Sequence, residues 1–138
     1  MSMKSTHTLM IVLFAALAGR ATAQDMGSAE CLVKVGSKWG TTCDACEYYR
    51  DGYKRDFSGT FRIELRNECR EMVEVKLAVE EKDGNWRTFP VRTIDPGASV
   101  EGFACHGTGR YLYWVRKLND TEIILPTDQE IITEYRSR

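Results

Sequence analysis

From Thr60 onward the chain alternates apolar and polar residues with a period of two. Phe61, Ile63 and Leu65 alternate with Arg62, Glu64 and Arg66, and Val73, Val75, Leu77 and Val79 alternate with Glu74, Lys76 and Glu80. Successive strand side chains point to opposite faces, so each run predicts a strand with one apolar and one wet face. Lys82-Asp83-Gly84-Asn85 predicts a hairpin turn, because Asp-Gly accepts positive φ. Trp86 to Ile94 predicts a third strand. Pro90 within it lacks an N–H, which marks an edge or a bulge. Asp95-Pro96-Gly97-Ala98 carries the type II turn pattern. Ser99 to Cys105, Arg110 to Lys117 and Thr121 to Leu125 complete the strands, with turns at 106–109 and 119–120 between them. Short strands at regular spacing predict an all-β fold, an antiparallel β-sandwich of Ig-like, Greek-key style.

Both flanks depart from this pattern. Thr127 with Glu130 three residues on fits a helix capping box. The tail is therefore either a short C-terminal helix through about Tyr135 or a frayed strand. Residues 24–59 hold Cys31, Cys43 and Cys46 among glycines and serines, with little periodicity. They predict an irregular segment pinned by disulfides, with one short strand at Cys31–Val35 and a surface loop or irregular helical turn over Glu47–Phe57.

The first residues add a compartment. Lys4, the apolar run Leu9–Gly19 and Ala21-Thr22-Ala23 form the three parts of a cleavable export signal. The expected organisation is a signal peptide at 1–23, a cysteine-containing segment at 24–59 and an antiparallel β domain at 60–138. The destination is secreted or periplasmic, where thiols pair. Ser28-Ala29-Glu30 before Cys31 does not make a lipid-attachment site. After Gly19 no apolar run approaches the roughly 20 residues a membrane helix needs, so no integral membrane segment is expected once the signal is removed. The formal net charge is −1, and losing Lys4 and Arg20 makes it more negative. That balance gives no general attraction to nucleic acid.

Cys69 shares the inward parity of Phe61, Ile63 and Leu65, and Cys105 shares that of Phe103. A Cys69–Cys105 bridge is expected, worth roughly 4 kcal/mol by the loop it closes. Cys31 then pairs with Cys43 or Cys46, leaving one thiol. Cys43-Asp44-Ala45-Cys46 is also a C-x-x-C motif. Redox catalysis wants the first cysteine at a helix N-terminus in a βαβ frame; here a Gly/Thr loop flanks it. Zinc would draw on Cys31, Cys43, Cys46 and His106, but only one C-x-x-C knuckle exists. Structural disulfides are the main reading, and no metal or cofactor is expected.

Beyond the signal, His106 is the only histidine, and it reads as a turn residue. No nucleophile elbow, zinc-protease helix or phosphate-binding loop occurs. Alternation places Glu64, Glu74 and Glu80 on the solvated face. Tyr111-Leu112-Tyr113-Trp114-Val115 carries large groups on both faces of one strand. That predicts either a doubly buried strand or a binding surface of Trp86, Tyr113, Trp114 and Arg116, since Trp, Tyr and Arg dominate interface energetics. The function expected is non-enzymatic binding of a protein or surface glycan, one version being a hydrolase inhibitor that inserts the Cys105–Arg110 loop. The alternatives are a thiol–disulfide oxidoreductase using the C-x-x-C motif and a structural envelope component. Asn119-Asp120-Thr121 matches a glycosylation acceptor. The order Cys69, Trp86, Cys105 is that of immunoglobulin domains, but the spacing is too short and Phe103 stands where those domains place a tyrosine.

Overall fold

The computed structural model describes residues 31–46, 49–50 and 54–136. The signal expected at 1–23 lies outside them. The elements in order are β1 (Leu32–Trp39), β2 (Tyr49–Arg50), β3 (Lys54–Arg55), β4 (Phe61–Asn67), β5 (Val73–Glu81), β6 (Trp86–Thr88), β7 (Arg92–Ile94), β8 (Ser99–Ala104), β9 (Gly107–Lys117) and α1 (Asp128–Tyr135). All strand pairings are antiparallel. One sheet runs β1-β4-β8. In the other, β5 is central, with β9 along one side and β6 and β7 along the opposite side; β2 and β3 form a separate ribbon.

The period-two runs form strands as expected, and their apolar faces meet. Phe61, Ile63 and Leu65 of β4, Val100 and Ala104 of β8, Val73, Val75, Leu77 and Val79 of β5, Ile94 of β7 and Val115 of β9 make one buried core. The two layers press tightly at Gly102, where a Cβ would lie 2.6 Å from Leu77 Cδ2. This is the expected antiparallel β-sandwich. Gly84 (φ +87°) and Gly97 (φ +83°) supply the positive φ that the two turns need, and Ala98 N donates to Asp95 O at 3.0 Å.

Four strand expectations change. Within Glu47–Phe57, expected as a surface loop or irregular helical turn, β2 and β3 pair as a ribbon. β1 extends past Val35 to Trp39, because a register shift between Lys34 and Gly36 lets it stay paired with β4. The sheet therefore crosses the boundary expected at Thr60. The single strand expected over Trp86–Ile94 is broken at Phe89-Pro90-Val91 into β6 and β7, two pieces of one edge. Thr121–Leu125 is not a strand. Its apolar residues Ile123, Ile124 and Leu125 are contiguous rather than alternating, and Ile124 is 86% exposed.

The tail resolves as a helix. Thr127 is its N-cap and accepts from Glu130 N at 3.2 Å, the capping contact expected. α1 lies on the outer face of the β5 sheet. There Ile131 and Tyr135 pack against Ala78, Trp86, Leu112 and Trp114 as a second core. This overturns the solvated placement of two glutamates: Glu80 is buried and Glu74 partly so. Each has a cation, Glu80 with Arg110 at 2.8 Å and Glu74 with Arg116 at 2.7 Å. Buried Lys76 donates to Phe89 O and to Asp128 in the first turn of α1.

Replacing Ile131 with Ala is expected to cost about 2–5 kcal/mol, and Thr127→Ala about 1 kcal/mol, both read from urea unfolding midpoints. The Lys76 hydrogen bond holds the Asp128 carboxyl below its ordinary value of 3.8. A lowered folded pKa stabilises the fold above that ordinary value, and the contribution disappears as pH falls through the lowered one. Near-UV circular dichroism of Trp86 and Trp114 is therefore expected to weaken only below about pH 4, and Asp128→Asn to remove that step.

Candidate functional site

The expected aromatic and arginine surface does not exist as one surface. Trp86 is only 5% exposed, and its Nε1 donates to Tyr135 O at 2.8 Å. Trp114 packs on the Tyr135 ring at 5.9 Å between centroids. Arg116 is spent on Glu74 and on Ile123 O, the latter at 2.9 Å. All three lie on the face of the β5 sheet that α1 covers. Tyr113 points the other way, toward the β4 sheet. Alternation separates the two sets correctly; what it does not reveal is the helix over one of them.

A different set comes together on the open side of the sandwich, where β1 and β9 run. Register pairs Lys34 with Leu65, Ser37 with Ile63 and Trp39 with Phe61, so these β1 residues share the inward parity of β4. Little covers them. Trp39 is 52% exposed, and its ring rests on Phe61 with 4.9 Å between centroids. Gly109 (φ +90°) also lies against that ring: a Cβ there would be 3.2 Å from the indole. Two residues along β9, Tyr111 sits 6.0 Å beneath the Lys34 ammonium. Tyr113 follows with its ring nearly parallel to that of Tyr111, 6.3 Å away. Trp39, Lys34, Tyr111 and Tyr113 thus make an aromatic stripe carrying one cation. Among the described residues β1 pairs only with β4 and β9 only with β5, so both flanking backbone edges are unpaired in sheet terms.

Trp39 was not legible as a site residue. It sits in the glycine-rich stretch Gly36–Gly40, which looks irregular until the bulge restores its pairing. The polar inward positions Lys34 and Ser37 are the signal that was available, since a covered strand face would have been apolar there.

The cysteines pair as Cys31–Cys69 and Cys46–Cys105, with Cys43 a buried free thiol. The expected Cys69–Cys105 bridge is wrong, and so is a bridge from Cys31 to Cys43 or Cys46. Parity placed Cys69 and Cys105 on a common face but ignored their position along the strand. β4 ends at Asn67, which is fully buried; it binds Glu71 O and Ile94 O through Nδ2 and accepts from Cys69 N. That network turns Cys69 toward Cys31, while Glu68 N donates to Cys31 O at 2.8 Å. Cys105 follows Ala104, which pairs with Phe61 at the other end of β4. Six strand residues separate the two ends, roughly 20 Å, far beyond the reach of a disulfide.

The segment Cys105–Arg110 is not a protruding loop. Cys105 and His106 form a tight turn, and Gly107 already begins β9. Glu81 holds the turn, accepting from Cys105 N at 2.9 Å and His106 N at 2.8 Å. Among the described residues no cluster of histidine, cysteine and carboxylate side chains is arranged to hold a metal ion. No helix among them is long and apolar enough to cross a membrane. No protein-family model, curated protein or solved structure matches the chain.

Burial, and then the neighbouring Tyr113, raises the Tyr111 hydroxyl above its ordinary pKa of 10.0. The folded state keeps this proton longer than the unfolded chain does. Stability is complete below pH 10 and falls as pH rises toward the raised value. An absorbance titration of the tyrosines is expected to show a late-ionising component that Tyr111→Phe diminishes.

Proposed function

We propose that this chain is an exported, non-enzymatic binding domain that recognises a protein or a surface glycan along the β1–β9 side of its sandwich. One observation carries the reading. Trp39 is half exposed yet fixed in place, with Phe61 beneath it and the Gly109 backbone at its edge. Large exposed apolar residues cost solubility and need an occupant when they cluster. A rigid Trp beside Tyr residues presents wide contact area at little cost in side-chain entropy, which is the character of an interface hot spot. The Lys34 ammonium adds a hydrogen-bond donor next to the rings.

Export is supported by the signal pattern and by the two disulfides, which persist in oxidising compartments. Secreted and periplasmic destinations fit equally. An inhibitor of a hydrolase is one form such a domain takes, acting through the Trp39 side, since Cys105–Arg110 forms no insertion loop. The oxidoreductase alternative draws less support. Its motif cysteines are not bridged to each other, Cys46 being joined to Cys105, and Cys43 is only 5% exposed, so a bulky disulfide substrate has no approach.

The test pairs glycan-array binding with capture from an extracellular or periplasmic fraction, using wild type, Trp39→Ala and Tyr111→Ala. Trp39→Ala is expected to weaken capture about 30-fold, the equivalent of roughly 2 kcal/mol, with the folded circular dichroism spectrum retained. Unchanged capture by both variants removes the stripe from the site. Self-association of the wild type with no separate ligand would instead favour a structural envelope component.

A further inference from the structure

The C-x-x-C motif, left without a role by the binding reading, packs against a disulfide. Cys43, Cys46 and Cys105 form one buried cluster with Phe57 and Phe103 against it. Cys46 N donates to Cys43 O at 3.0 Å across Asp44-Ala45. This is a β-turn, which brings its end Cα atoms within about 7 Å, overlapping the roughly 4.4–6.8 Å that a disulfide spans. The turn therefore brings the backbone of Cys46 within the Cα range of a bridge to Cys43 while Cys46 stays bonded to Cys105. A cation waits on the far sulfur: Arg87 Nη2 lies 3.4 Å from Cys105 Sγ. The guanidinium is held there by the Glu81 carboxylate at 3.2 Å and by the Phe103 ring at 4.9 Å. Glu81 also binds the Cys105 and His106 amides, so cation and sulfur are fixed to one another.

The geometry points to an intramolecular disulfide exchange site with Cys46 as its branch point. The Cys43 thiolate attacks Cys46 Sγ. A Cys43–Cys46 bond forms as the Cys46–Cys105 bond breaks, and the electron pair leaves on Cys105 Sγ beside Arg87. The proton lost by Cys43 ends on Cys105. One thiol and one disulfide are present before and after, so no oxidant or reductant is consumed. A leaving sulfur stabilised by a neighbouring cation departs faster. Burial of the three sulfurs keeps outside thiols away and leaves exchange among themselves.

The consequence is mechanical. The Cys46–Cys105 bridge, with a sequence separation of 59, ties the segment between β1 and β4 to the β8–β9 turn. Exchange replaces it with a bridge inside a four-residue turn and unties that segment. Both its ends lie beside the exposed indole, since Gly40 N donates to Thr60 O at 2.9 Å between Trp39 and Phe61. The exchange itself does not depend on what the stripe binds.

The oxidised protein is incubated at mildly alkaline pH without added thiol, quenched in acid, and unfolded with a maleimide before peptide mapping. A label at Cys105 that grows with time, accompanied by a Cys43–Cys46 peptide, is the expected result, slower in Arg87→Gln. Label at Cys43 alone at every time, or label appearing at Cys46, overturns the proposal. The variant Cys105→Ser isolates the product state and keeps the Cys31–Cys69 bridge. Refolded from the reduced, unfolded chain in oxidised glutathione, where every thiol is reachable, this variant is expected to hold Cys43–Cys46 beside Cys31–Cys69; free thiols persisting at Cys43 and Cys46 would overturn the proposal as well.

Discussion

β5 is buried on both of its faces, and only one of them is apolar. Val73, Val75, Leu77 and Val79 enter the sandwich core, while Glu74, Lys76, Ala78 and Glu80 face outward beneath α1 and its surroundings. A lone buried charge costs several kcal/mol, so each must find a partner before that face can be covered. Arg116, Asp128 and Arg110 are those partners. The helix supplies Asp128 from its first turn and Ile131 one turn later. The helix thus covers the face with Ile131 and neutralises Lys76 with Asp128, while β9 supplies Arg110 and Arg116 for the two glutamates. This explains how a charged, alternating strand becomes the centre of the molecule without an apolar outer surface.

The position of the candidate site follows from that arrangement. α1 occupies the outer face of the β5 sheet, so Leu112, Trp114 and Trp86 are consumed as its seat. Tyr111 and Tyr113 have the opposite parity and face the β4 sheet, where β1 is the strand beside them. The bulge at Val35 keeps β1 paired to its end but leaves Lys34, Ser37 and Trp39 on an inward face that no third layer among the described residues closes. An aromatic stripe results on the β1–β9 side of the sandwich, where these inner-face residues reach water. Covering one face of a strand and exposing the other thus divides the aromatics of four consecutive residues, Tyr111 and Tyr113 on one side and Trp114 on the other.

Disulfides fasten the two ends of the sandwich separately. Cys31–Cys69 joins the start of β1 to the loop after β4, while Cys46–Cys105 joins the segment after β1 to the β8–β9 turn. Asn67 and Glu81 do comparable work at those ends, each satisfying several backbone groups that turns leave over. Neither announces itself in a one-dimensional pattern: Asn67 reads as a turn residue and Glu81 as one more acid after a strand.

The period-two runs of β4 and β5, the Asp-Gly and Pro-Gly turns, the edge position marked by Pro90 and the Thr127 cap were all legible, because each depends on residues within one element or its nearest turn. Local sterics and hydrogen bonding act over a few residues, and these few residues are adjacent in the chain. Cysteine pairing, the burial of Glu80, the covering of Trp86 and the exposure of Trp39 were not legible. Alternation states which face a side chain takes, but neither how far along the strand its partner lies nor what packs over that face. Those two quantities are set by contacts between residues distant in sequence, and they came into being only when the sheets closed and the helix settled on β5.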